Sequence, residues 1–161
     1  MITARRFIRI KAFQALFQLS NNPQTSTEEA IAFSIRYPMM DVEADLTNLK
    51  ALKIVFPGDT ENEKAIQDSL DYLTKVVNGV VENREFIDEK IESRLEDWSM
   101  NRIDLPNLLL LRLATYELFF EDISPNIVMN EAIELTKSFN NEKASKFVNG
   151  VLQGILDTKE A

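Results

Sequence analysis

"DLPNLLLLRLATYELFF", residues 104–120, decides the fold of this 161-residue chain. Asp104 stands where a capping residue belongs, and Leu105-Pro106 fall in the first helical turn, where a proline loses little because its missing N–H would have no partner there. From Leu108 to Phe120 the stretch is apolar nearly all round, with Arg112 and Glu117 as its only charges. A helix with one apolar stripe packs at a surface, whereas a helix without a polar face belongs at the centre of a bundle.

Its neighbours supply the surrounding helices. Ser124-Pro125 opens a helix whose Val128, Ala132, Leu135 and Phe139 form a narrow stripe, and Asn140-Asn141 ends it. A last helix runs from Ala144 to Leu156, with Phe147, Val148, Val151, Leu152 and Ile155 inward. On the other side, Ile66, Leu70, Leu73, Val77 and Val80 recur at spacings of three and four from Glu63 onward, continuing through Phe86, Ile87, Ile91 and Leu95. A break near Glu82 or Asn83 is expected, since an unbroken helix of that length is uncommon in a compact domain. Between Met39 and Asp59 the pattern weakens to one short helix through Leu46, Leu49 and Leu52 and a turn at Phe56-Pro57-Gly58-Asp59. Residues 38–59 are therefore read as a variable region. Earlier still, Ser26 and Glu29 form a capping box for a helix ending at Arg36, before Tyr37-Pro38. Thr3 caps a first helix over Ala4–Ser20, with Ala12, Phe13, Leu16 and Phe17 as its stripe and Asn21-Asn22-Pro23 as its stop. The pattern predicts one all-α domain over 1–161, about seven helices around a central buried one.

Composition narrows the chemistry. With no Cys there is no disulfide framework and no thiolate nucleophile, and with no His the commonest general base and metal ligand is gone. The four glycines form neither GxGxxG nor GxxxxGK, so no phosphate-cradling loop is present. Glu131 and Glu134 share a helix face but lack the His of a di-iron motif, and are read as solvated charges, Glu134 pairing with Lys137. No apolar run reaches the length of a membrane span, and the cationic start is unlike a secretory signal. The expectation is a cytoplasmic protein that is not an enzyme and needs neither metal nor cofactor.

One feature of charge stands apart. The formal net charge is −8, yet Arg5, Arg6, Arg9 and Lys11 fall in the first 11 residues with no acid among them. At about 100° per residue, Arg5, Arg9 and Arg6 share one arc of about 100°, while Lys11 lies about 240° from Arg5 and reads as a solvated bystander. The arc turns apolar lower down at Phe13 and Leu16, so the first two turns are expected to project beyond the core into solvent. Cations at a helix N-terminus oppose the macrodipole, so helix stability does not explain them. Guanidinium forks beside free backbone N–H groups suit phosphates. Two explanations stand at this point: contact with a nucleic acid, or pairing with some of the chain's own 26 acids.

"RRFIRIKAFQALF" (5–17), "WSMNRIDLPNLLLLRLATYEL" (98–118), "SPNIVMNEAIELTKSF" (124–139) and "SKFVNGVLQGI" (145–155) together resemble, in order and spacing, the NusB family of bacterial transcription antitermination factors. The resemblance covers both ends of the chain and nearly all of its C-terminal half, while Asn21–Asp59 does not match. It implies an all-helical fold of two packed three-helix bundles, no enzymatic activity, and binding of boxA-type single-stranded RNA in ribosomal RNA operons together with NusE, a ribosomal protein. The pair would help assemble an antitermination complex on RNA polymerase, and some members are thought to mask the RNA surface by forming a homodimer.

Carried over by position, Arg5, Arg6 and Arg9 would contact RNA. Phe17 stands where the family often has Tyr, which leaves stacking on RNA or core packing. Lys146 would extend the RNA surface or be a solvated charge, and Lys143 reverses a charge the family commonly keeps acidic. Arg112 and Glu117 read as a buried network rather than ligand groups. Gly150 is expected to let helices approach closely, and Asn149 to cap or bridge backbone groups. Two rivals remain: a helical adaptor whose arginines meet an acidic protein, and an RNA-modifying enzyme, since NusB-like domains also precede RNA methyltransferase domains. The helical pattern occupies the 161 residues and leaves no stretch for a cofactor-binding sheet.

Overall fold

The computed structural model describes residues 4–36, 60–95 and 100–160. Among them are seven α-helices and no strand: α1 (Ala4–Asn21), α2 (Thr27–Arg36), α3 (Thr60–Glu82), α4 (Arg84–Glu92), α5 (Leu105–Phe120), α6 (Pro125–Phe139) and α7 (Glu142–Glu160), with a single 3-10 turn at Met100–Arg102 before α5. The cap assigned to Thr3, the short helix through Leu46, Leu49 and Leu52, and the turn at Phe56–Asp59 lie outside the described residues.

Local chemistry sets most of these boundaries. Ser26 Oγ accepts the Glu29 backbone N–H at 3.1 Å, the first half of the expected capping box. The break between α3 and α4 falls at Asn83, whose backbone (φ −103°, ψ 18°) leaves the helical region. Its side-chain amide donates back to Gly79 O at 2.8 Å, satisfying a carbonyl at the end of α3. Asp104 occupies the N-cap position of α5, but its side chain makes no capping hydrogen bond, contrary to expectation. The last helix begins at Glu142, two residues earlier than its apolar stripe suggests. The cause is Asn141, whose Oδ1 accepts the Ala144 N–H at 2.8 Å, so the residue read as a terminator of α6 also caps α7.

The chain divides into two compact units, Met1–Asn78 and Gly79–Ala161. In the first, α1 packs against α2. Its buried apolar side chains include Ala12, Phe13 and Leu16 of α1, Ala30 and Ile31 of α2, and Leu73, Val76 and Val77 of α3.

In the second unit α5 is the centre, lying against α4, α6 and α7. Every residue from Leu109 to Leu118 is buried, as an all-round apolar helix requires. Its two charges are accommodated rather than exposed. Arg112, 8% exposed, forks onto Asp88 of α4, with Nε at 2.8 Å from Oδ1 and a terminal nitrogen at 3.1 Å from Oδ2. A bidentate pair of this kind fixes the rotation of α4 about α5 as well as satisfying both charges. Glu117, 3% exposed, is also buried, so neither charge is presented to a ligand.

Gly79, at the end of α3, lies under the Tyr116 ring of α5, and a Cβ there would overlap it. Gly150 does not play that part. Nothing lies within 4 Å of where its Cβ would be, so the close helix approach expected of it belongs to Gly79 instead.

Candidate nucleic-acid interface

The cations of α1 are not uniformly at the surface. Arg9 is 5% exposed and Ile8 in the same turn 8%, so the second turn is buried and the expected projection of two turns into solvent does not occur. Arg6 is half-buried, and the Arg5 side chain lies outside the described residues. Lys11 is the clearest correction. It is 4% exposed, and its ammonium donates to Gln14 Oε1, one turn on, at 3.2 Å. A helical wheel points Lys11 to solvent only if every charge faces outward. A lysine carries four methylenes, and that stem packs with the apolar face while the head finds a local acceptor. Phe17 is half-buried with its ring 6.3 Å from that of Phe13, tilted by 41°, which places it at the margin of the core.

Lys146 is exposed on α7, in the second unit. That unit also holds a cleft that sequence reasoning did not assemble. It has a volume of about 350 Å³ and is bounded by Arg102, Ile103 and Asp104 before α5, Asn107 in its first turn, Asn140 and Asn141 at the α6–α7 corner, and Lys143, Ala144 and Phe147 of α7. Asn140 Nδ2 donates to Asn107 Oδ1 at 3.3 Å across it, which ties the corner to α5. Because Asn141 caps α7, the helix begins beside the cleft and its first turn lies at the rim.

The lining therefore offers two exposed cations, Arg102 and Lys143, one exposed carboxylate, Asp104, a group of amides and the half-buried ring of Phe147. Cations hold phosphate, amides meet the mixed donor and acceptor edge of a base, and an aromatic ring offers it a stacking face. Lys143, noted in the sequence for its reversed sign, lines this cleft. The residues that sequence reading passed over are Arg102, Asn107 and the Asn140-Asn141 pair. The pair was legible only as helix punctuation, since nothing in one sequence shows that α5 begins beside the α6–α7 corner.

Among the described residues, no group of three or more His, Cys, Asp or Glu is placed to hold a metal, and no helix is long and apolar enough to cross a membrane.

Comparison with known proteins agrees with the all-helical geometry. The model of the NusB family matches residues 6–157. The transcription antitermination protein NusB of Clostridium botulinum is 42% identical over 117 residues, spanning 70% of this chain and 82% of that protein. Among solved structures, T. maritima NusB is similar with a TM-score of 0.71 at 32% identity, covering 98% of this chain and 93% of its own. The crystal structure of antitermination factors NusB and NusE in complex with dsRNA contains a chain similar at a TM-score of 0.72 and 26% identity, covering 98% and 99%.

Proposed function

The chain belongs to the NusB family, and from that premise we propose that it is a non-enzymatic antitermination factor that binds boxA-type single-stranded RNA together with NusE, supporting ribosomal RNA transcription as part of an antitermination complex on RNA polymerase. One observation carries the reading most: a chain similar to this one over 98% of its length belongs to the crystal structure of antitermination factors NusB and NusE in complex with dsRNA.

Two surfaces supply the RNA contacts in this account. The first turn of α1 offers Arg5 and Arg6 to phosphates at a helix N-terminus. Arg9, being buried, acts from within the unit as a packed cation rather than as a phosphate contact. The cleft of the second unit takes an unpaired nucleotide, with Arg102 and Lys143 on phosphate, the amides on base edges and the Phe147 ring as a stacking face. Lys146 adds a cation one turn beyond Lys143. Phe17 contributes through packing that holds α1 in place.

With so few phosphate contacts and a net charge of −8, affinity of this chain alone for RNA is weak. NusE supplies the remainder. A protein contact has its own support in the second unit, where Phe86 and Phe120 are exposed at 38% and 41%. Phe86 stands edge-on to the rings of both Phe119 and Phe120, so these side chains form one apolar area of the kind a partner covers.

The test is a fluorescence anisotropy titration of a boxA-like RNA and a scrambled RNA, with and without NusE, at several salt concentrations. The boxA-like RNA should bind tighter than the scrambled one, with a gain on adding NusE and a loss with salt. Absence of binding by either RNA in both conditions overturns the RNA reading and leaves the protein-adaptor reading.

A further inference from the structure

Three glycines of the described residues lie within helices, and two of them are accounted for inside the protein. Gly79 makes room for the Tyr116 ring, and a Cβ at Gly154 would come within 2.9 Å of Arg94 Cδ. Gly150 has no such neighbour, since nothing lies within 4 Å of its Cβ position and the residue is exposed. It sits in the middle of the 19-residue α7, where glycine is the poorest helix former after proline. Asn149, immediately before it, is also a poor helix former and is exposed. Helix stability and internal packing therefore both favour something other than Asn-Gly at this place.

Position supplies the reason. At about 100° per residue, Gly150 lies within about 20° of Lys143, about 40° of Lys146 and about 60° of Phe147 on the helix surface. Lys143 and Phe147 line the cleft. Gly150 is thus the continuation of the cleft wall, about 10 Å along the axis from Lys143. The exposed residues of this middle stretch are Lys143, Lys146, Asn149, Gly150 and Gln153, with no acid among them. The acids of the same face, Glu142 and Asp157, stand at its two ends, and Asp157 accepts a hydrogen bond from Gln153 at 3.1 Å.

We propose that an RNA strand entering the cleft runs on along this face of α7, and that Gly150 is kept without a side chain so that the sugar–phosphate backbone can lie against the helix itself, with Lys146 on phosphate and the Asn149 amide beside it. This rests on the RNA-binding reading above and assigns the path of the strand beyond the cleft.

The test is Gly150→Ala in the full chain, measured for thermal stability, for binding of a boxA-like RNA in the presence of NusE, and for binding of NusE without RNA. An added methyl at an open helix position should raise the unfolding midpoint by about 1–3 °C. RNA affinity should fall about fivefold or more, with NusE affinity unchanged. A more stable variant that binds RNA as tightly as the parent overturns the proposal, as does an equal loss of NusE affinity without RNA, which would make the face a protein contact. Absence of RNA binding by the parent chain overturns the RNA reading itself, whereas parental binding that Gly150→Ala leaves untouched overturns only the path.

Discussion

Burying a cation is costly unless its charge is met, and α1 buries two, Arg9 and Lys11, at 5% and 4% exposure. Their side chains belong to the stability of the first unit, whereas Arg6, half-buried in the first turn, remains at the surface where a phosphate can reach it. Lys11→Ala removes the packed stem and the hydrogen bond to Gln14, and is expected to cost about 1–3 kcal/mol of stability. Arg6→Ala should weaken RNA binding and cost less stability than Lys11→Ala. Urea unfolding and RNA titration of the two variants check this separation, and a reversed pattern would put the phosphate contact on Lys11. Gly79→Ala provides a second residue-scale test. Its methyl would press on the Tyr116 ring and is expected to destabilise by about 1–3 kcal/mol, opposite in sign to the effect expected at Gly150. At this scale the sequence was informative where the residue type limits the environment. Arg112 in an apolar helix has to find a carboxylate, and it finds Asp88. It misled at Lys11 and Gly150, because the burial of a long amphipathic stem and the emptiness around a glycine depend on neighbours that are distant in the chain.

Elements were legible to the extent that their ends carry a chemical signal. The Ser26 cap before α2 and the break at Asn83 have such a signal and form, while α5 forms on its apolar pattern although the Asp104 side chain makes no capping hydrogen bond. The start of α7 was misplaced because Asn140-Asn141 serves two helices: the α6 C-cap at Asn140, and the N-cap of α7 at Asn141. Asn141→Ala is expected to cost about 1 kcal/mol by exposing the Ala144 N–H. It should also loosen the first turn of α7, which carries Lys143 to the cleft, so RNA affinity should fall together with stability. Asn141→Ser, which keeps an acceptor at the cap, should restore both. Circular dichroism melts and RNA titration of the pair distinguish this from a direct base contact, for which Ser would restore stability without restoring affinity.

On the scale of the whole molecule, the all-helical architecture was readable from periodicity, and the family from motifs spread over both ends of the chain. The cleft was not, because it is made where the approach to α5 meets the α6–α7 corner, a juxtaposition that only the fold creates. The net charge of −8 means that the chain as a whole repels RNA and that binding depends on a few local cations. That dependence gives the most direct test of the account, the salt dependence of affinity for a boxA-like RNA with NusE present, in the parent chain and in the double variant Arg102→Ala with Lys143→Ala. Each phosphate contact on a single strand contributes about 0.7 to the slope of log affinity against log salt, so the double variant should bind more weakly with a slope shallower by roughly 1.4. An unchanged slope with unchanged affinity would contradict the account, because the cations lining the cleft would then not meet RNA.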